Sequence, residues 1–284
     1  MPITIDGEEY FEGKDISHKD FFEKQVSGAN IKTAQPAVGF VEEFWENLLK
    51  DYDSIIYVPM SSALSSSCES AKASAEKYGG KVIVVDNKQI SCSLKLAIQN
   101  ASLLQKQGKS AQEIAESLMG ECLDSTIYIS IPTLTYLKKG GRLTPAAAIL
   151  GTMLSIKPVL QIQRGKLDSF AKCFTFNSCK VKMIQALKKD IETRFANKKV
   201  KYFIAHTDIP TEAEAFKEQL ETALNVASLK VQVVPTSTVP LQLNVNEGSA
   251  ILVLILPSLT VGEGHSTLVN KLNNKDWISV PPSI

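Results

Sequence analysis

Charge of one sign is missing from this chain: 31 Lys and Arg face 30 Asp and Glu over 284 residues, a formal net charge of +1. No global field attracts nucleic acid or an anionic membrane surface, so bulk electrostatics names no polyanionic partner. Long apolar runs are missing too. The longest, from Ala250 to Leu256 ahead of Pro257, is far too short for a helix across a bilayer and reads as a buried strand. The opening residues, Met1 to Glu9, carry neither the basic patch nor the apolar core of a secretory signal. The five cysteines (Cys68, Cys92, Cys122, Cys173, Cys179) form no CxxC pair and no disulfide-like framework. That scatter points to reduced thiols, a cytoplasmic location and no structural metal. Histidine is scarce: His18, His206 and His265 are the three present, and no G-x-S-x-G elbow accompanies them. Ser/His/Asp hydrolase chemistry therefore has no foothold. The absence of a Walker loop and of G-x-G-x-x-G leaves nucleotide binding unsupported.

What is present is the balance of a globular protein, 44% hydrophobic and 21% charged, with apolar material for a sizeable core and a length suited to two modest domains. In the first half, Asp6-Gly7 between two short alternating segments signals a hairpin. Ser17 is placed to cap a short helix. Val38, Val41, Phe44, Trp45, Leu48 and Leu49 form one face of a helix between Pro36 and Tyr52. Strands from Ser54 to Val58 and from Lys81 to Asp86 alternate with helices from Ser67 to Tyr78 and from Ser91 to Gln107. A further helix to about Cys122 opens on the capping box of Ser110 and Glu113. Such alternation predicts crossover connections and a mainly parallel sheet.

The second half mixes hairpins with helices. A strand from Thr126 to Ile131 precedes short helices, from Leu134 to Lys138 and from Pro145 to Leu154. Next come a hairpin turning at Arg164-Gly165 and helices near residues 179–194 and 211–224. Strands near residues 201–206, 230–234 and 250–256 complete it. The pattern predicts a mixed or antiparallel sheet with helices. The fold class is thus α/β in two domains, residues 1–122 and 123–284.

Two loops that lead into helices carry hydroxyls. Ser61-Ser-Ala-Leu-Ser-Ser-Ser67 lies between a strand and a helix, and Lys32-Thr33-Ala34-Gln35-Pro36 precedes the amphipathic helix. As caps and turns they need no ligand. Loops that leave strand carboxyl ends and enter helices also aim amides and hydroxyls at one spot, where the helix dipole favours an anion. Two such loops can share one carboxylate or phosphate. Lys138-Lys-Gly-Gly-Arg142 reads either as a capped helix C-terminus or as a docking loop in which Arg142 presents a planar fork of donors. The small, apolar stretch from Leu143 to Leu154 reads as core or as the wall of an apolar cavity.

Taken in order, several motifs resemble the DegV family of bacterial fatty-acid-binding proteins over nearly the whole chain. They are Asp6-Gly7 with Tyr10 and Gly13 to Ile16, Thr33-Ala-Gln-Pro36, Ser61-Ser-Ala-Leu-Ser65, Lys138-Lys-Gly-Gly-Arg142-Leu and Ile156-Lys-Pro-Val159. The resemblance implies a long acyl chain in an apolar tunnel formed by the second domain, with its carboxylate in the interdomain crevice. It implies carboxylate contacts from Thr33 and Ser65, with Ser62 and Asn244 as further candidates, and contact with a fatty acid kinase through Arg142. The role implied is that of a carrier, non-catalytic alone, presenting fatty acid to an ATP-dependent kinase for acyl-phosphate formation. The fatty acid is then the ligand, with no cofactor, no metal and no nucleic acid, and with transient membrane contact allowed.

Two departures stand out. Family members usually begin with a strand and an Asp-Ser loop ahead of the hairpin, and this sequence starts after that point; either that strand is absent, which would expose a sheet edge, or the start is internal to a longer frame. The family's H-x-G-x-G loop is best matched by Asn244-Val-Asn-Glu-Gly248, and Asn244 can donate to a carboxylate but carries no charge near neutral pH. The physical logic is a division of labour. Each buried methylene contributes about 0.8 kcal/mol, so a long tail supplies on the order of 10 kcal/mol before binding costs. Neutral hydroxyls and amides need only orient the head. The residues alone leave a second class open, an α/β enzyme acting on a small carboxylated or phosphorylated metabolite with Thr33 and Ser65 as anion binders.

Overall fold

The computed structural model describes residues 2–11, 14–131, 134, 156–207, 209–225, 232–235 and 251–257. Arg142, Asn244 and the two short helices expected on either side of Arg142 lie outside the described residues, Leu134 itself excepted.

The chain opens with β1 (Pro2–Ile5) and β2 (Glu8–Phe11), antiparallel about Asp6-Gly7. Both turn residues take the left-handed conformation, φ 51° and 96°, which matches the twist of a tight hairpin. Helix α1 (His18–Val26) begins where the Ser17 hydroxyl accepts the Asp20 amide at 3.1 Å. Strand β3 (Ile31–Thr33) then pairs antiparallel with the other edge of β1. Helix α2 (Val38–Leu48) buries Trp45 edge-on against Tyr57 and Tyr78, with ring centroids 5.1 and 5.7 Å away. Strands β4 (Ile55–Tyr57) and β5 (Val82–Val84) pair in parallel. They are joined through α3 (Ser67–Ala75) and a 3-10 turn that stops at the left-handed Gly79. Helices α4 (Ser91–Lys106) and α5 (Ala111–Gly120) follow.

The parallel arrangement expected of this half holds for β4 and β5 and departs at the first three strands, which form a separate antiparallel sheet of order β2-β1-β3. The reason is local. A two-residue turn permits only an antiparallel neighbour, and the α1 crossover keeps β2 and β3 parallel to each other as such crossovers must, but on opposite edges of β1.

Among the described residues, the sheet of the second half has six strands: β6 (Thr126–Ser130), β7 (Lys157–Gln163), β8 (Lys166–Cys173), β9 (Val200–His206), β10 (Gln232–Pro235) and β11 (Ile251–Pro257). Their order is β10-β9-β11-β6-β7-β8. Only β9 and β10 run parallel, across the helix α7 (Pro210–Leu224); the other pairs are antiparallel. The mixed sheet expected of this half is therefore present. Alternation along β6, β7 and β9 gives it two apolar faces. Tyr128, Val159, Tyr202 and Ile204 pack against α7 and α6 (Phe176–Glu192) through Met183, Leu187 and Phe216. Ile127, Ile129, Leu160, Ile162 and Phe203 face the other way, onto Met60, Leu64, Ile90 and Leu96 from the first half of the chain. Among the described residues no helix is long and apolar enough to cross a membrane.

Polar groups are tied down at the edges of these layers. The Tyr128 hydroxyl donates to Asp190 Oδ2 at 2.8 Å, and burial followed by the Asp190 carboxylate pushes the phenol upward. Arg194 bonds Thr126 Oγ1 and, at 3.0 Å, the Leu123 carbonyl, holding the start of β6. On α5 the capping box is reciprocal: the Ser110 hydroxyl accepts the Glu113 amide at 3.3 Å and Glu113 Oε2 accepts the Ser110 amide at 2.9 Å. Lys109, then the Ser110 amide and hydroxyl, hold Glu113 down to about 2. A carboxylate depressed from its ordinary 4.5 contributes stability above that pH and loses it as pH falls toward 2. Glu113→Gln is expected to be less stable than the parent at neutral pH, with the gap closing as pH falls through that interval. Urea unfolding across the pH range measures it; a gap that stays constant with pH contradicts the account.

Candidate functional site at the serine loop

The loop after β4 is built around Ser61, whose side chain is fully buried. Its amide donates to the Gln89 carbonyl at 3.0 Å, and its carbonyl accepts the amides of Leu64 at 2.9 Å and Ser65 at 3.1 Å. That double acceptance folds the loop so that Leu64 enters the apolar layer under the six-stranded sheet while Ser65, half-buried, stands at the start of α3. The Ser65 hydroxyl donates to Ser67 Oγ at 2.9 Å and accepts the Ser67 amide at 3.2 Å, so it also serves the first turn of the helix.

Thr33 does not lie in a loop, as the sequence suggests, but closes β3 opposite Ile3. A β-branched residue fits that pleated position, and the loop proper starts at Ala34. Two residues beyond Thr33, Gln35 Oε1 accepts the hydroxyls of Ser66 at 2.8 Å and Ser70 at 3.2 Å. The loop after β3 is thereby tied to the serine loop and the first turn of α3, with Pro36 and Val41 facing Ser67 and Ser70 across a small cleft. Gln35 is the side chain the sequence reading missed, because a glutamine beside a proline carries no signal of a partner on another loop.

Ser62 is engaged differently. Its amide donates to Asp86 Oδ1 at 3.2 Å and its hydroxyl accepts Lys88 Nζ at 2.7 Å, while Lys88 forms an ion pair with Asp86. Burial pushes the Asp86 carboxyl upward, but the Lys88 ammonium and the Ser62 hydroxyl and amide outweigh it and hold the group below the ordinary carboxylate range. A cation therefore stands beside the serine loop, already matched by an anion. Lys88 adopts φ 60°, a left-handed conformation unfavourable for lysine that the pairing to Asp86 and Ser62 maintains.

Among the described residues, Cys68, Glu69 and Asp86 bring possible ligand atoms within 4.8 Å of one another. The donor set suits a metal poorly. Lys88 occupies Asp86, Lys72 occupies Glu69 at 2.8 Å, and burial followed by the Asp86 charge pushes the Cys68 thiol up to about 11. A thiol that stays protonated is a poor nucleophile at neutral pH. His206 Nδ1 accepts the Ile209 amide at 3.3 Å at the start of α7, a capping role.

The Asp86–Lys88 pair can be tested directly. The two side chains are 10% and 35% exposed, so solvent screens part of the attraction. Lys88→Met is expected to lower stability by about 1–2 kcal/mol, by leaving a mostly buried carboxylate without its cation. Most of that loss should return in Lys88→Met/Asp86→Asn, as read by urea unfolding of the four proteins. Simple additivity would show the pair to be uncoupled.

Comparison with known proteins follows the same residues. A family model described as "Uncharacterised protein, DegV family" matches residues 1–252. The DegV domain-containing protein SA1258 of Staphylococcus aureus is 30% identical over 234 residues, 82% of each chain. The DegV domain-containing protein spr1415 of Streptococcus pneumoniae is 28% identical over 224 residues, 78% of each. Among solved structures, the fatty acid binding DegV family protein SAG1342 from Streptococcus agalactiae has a TM-score of 0.78 at 25% identity, covering 90% of this chain and 89% of its own. DegV of Bacillus subtilis, described as a fatty acid binding protein, shares the fold with a TM-score of 0.77 at 22% identity and the same coverage. The match across most of the length, in sequence and in fold, means that this chain belongs to the DegV family.

Proposed function

We propose that this chain binds a long-chain fatty acid, holds its carboxylate at the loops of Thr33 and Ser65, and presents it to an ATP-dependent fatty acid kinase. The observation that carries the reading is the link, through Gln35, between the loop that follows Thr33 and the serine loop at the margin of an apolar layer. The change from apolar to polar takes a single residue: Leu64 packs with Ile127 and Ile129, and Ser65 next to it reaches the half-exposed margin. An amphiphile with a long tail and a small anionic head has that same division. The fatty acid binding described for SAG1342 of S. agalactiae supports the assignment.

In this reading the chain works without a cofactor in the cytoplasm and does no chemistry alone, the phosphoryl transfer belonging to the kinase. The division into residues 1–122 and 123–284 is part of the same proposal, as are Asn244 at the head and Arg142 toward the kinase. Ser62 supports the loop from its pairing with Asp86 and Lys88, and a contact to the head would be secondary for it. An enzyme acting on a small anion is less well supported, because the buried Cys68 thiol is pushed up to about 11 and His206 accepts a backbone amide.

Native mass spectrometry of protein purified from cells is expected to find a co-purifying acyl chain; finding polar metabolites alone would favour the enzyme. Ser65→Ala and Thr33→Ala should each weaken fatty-acid affinity about three- to tenfold without unfolding the protein, since each removes one head contact. Unchanged affinity in both, measured by displacement of a fluorescent fatty acid, would remove the head site. Arg142→Ala should leave that affinity intact and reduce acyl-phosphate formation by the kinase.

A further inference from the structure

The tip of the β7–β8 hairpin reaches the serine loop across 104 residues of sequence: the Ser61 hydroxyl donates to the Gly165 carbonyl at 3.2 Å, with both residues buried. We propose that Gly165 is a positioning residue for the fatty-acid head group, acting through Ser61 on Ser65. The proposal rests on the fatty-acid reading given above.

Three observations support it. The first is space. A Cβ added at any other described glycine meets nothing within 4 Å, whereas one at Gly165 overlaps Ser61 Oγ and lies 3.2 Å from Ser61 Cβ. The second is conformation: Arg164 and Gly165 both take positive φ, 52° and 76°, the turn that a two-residue hairpin requires. Glycine is thus demanded at the second position by backbone and by contact together. The third is the route onward. The Ser61 carbonyl accepts the amides of Leu64 and Ser65, so a displacement of Ser61 moves Ser65 through a direct hydrogen bond. The same tip braces the loop a second time, because a Cβ at Gly165 also comes within 3.1 Å of Lys88 Cβ, and Lys88 holds Ser62.

A contact that only supported the fold would affect every ligand equally. One that positions the head group should affect acids selectively. The test compares affinity for hexadecanoic acid and for 1-hexadecanol, by displacement of a fluorescent fatty acid, in the parent, Ser61→Ala, Gly165→Ala and the double variant. Thermal unfolding of each ligand-free protein is followed alongside. Ser61→Ala removes the hydrogen bond without adding atoms, and is expected to weaken acid binding about three- to tenfold while changing alcohol binding less than about twofold. Gly165→Ala should weaken acid binding further, and the double variant should bind the acid more tightly than Gly165→Ala alone, because the overlapping hydroxyl is gone.

Equal losses for acid and alcohol, or no loss in Ser61→Ala, would overturn the proposal. Should Gly165→Ala fail to fold, the acid-to-alcohol ratio of Ser61→Ala decides by itself. A parent protein that binds neither ligand would instead defeat the fatty-acid reading, a result distinct from a parent that binds acid and a Ser61→Ala variant that binds it equally well.

Discussion

A sheet with two apolar faces cannot leave either to water, and that constraint organises this molecule. The face bearing Tyr128, Val159 and Ile204 is closed by α6 and α7. The face bearing Ile129, Leu160 and Phe203 is closed by residues from the first half of the chain, chiefly Met60, Leu64, Ile90 and Leu96. Burial of this kind is worth about 25 cal/mol for each Å² of apolar surface removed from water. The serine loop is therefore part of the cover over a core, and its hydroxyls stand where that cover meets solvent.

The polar side of the loop is held with matching economy. Gln35 gathers Ser66 and Ser70, Asp86 and Lys88 hold Ser62, and Gln89 takes the Ser61 amide while its own side chain accepts the Ser125 hydroxyl at 2.7 Å. Satisfied networks at the edge of a low-dielectric region stiffen what they connect. A carboxylate placed there would draw a hydroxyl from its present acceptor, as Ser65 from Ser67 Oγ, on a loop whose backbone is already ordered.

Much of this fold was legible in the sequence where the physics is local. Asp6-Gly7 and Arg164-Gly165 announce their turns, Ser17 and Ser110 announce helix starts, and the six-residue apolar run from Ile251 announces a central strand. Helix α6 starts three residues earlier than its apolar period suggests, because Thr175 and Ser178 cap it reciprocally. The site divides the same way. The run of hydroxyls made the serine loop visible, and the resemblance of the two motifs to the family's singled out Thr33 and Ser65 as candidates. Gln35, Lys88 and Gly165 acquire meaning only from partners 31, 26 and 104 residues away, and no period or spacing encodes a pairing of that range.

The strand order carries a consequence for how the molecule is made. Strand β11 lies between β9 and β6 although, among the described strands, it is the last to leave the ribosome. Until it emerges, the described strands β6-β7-β8 and β9-β10 are two fragments that share no ladder, each presenting a bare edge to its surroundings. Vectorial synthesis thus delivers late the strand that makes the two fragments one, and loop-closure entropy makes that non-local step slow. For the interval before it, the nascent chain is the form most in need of a chaperone.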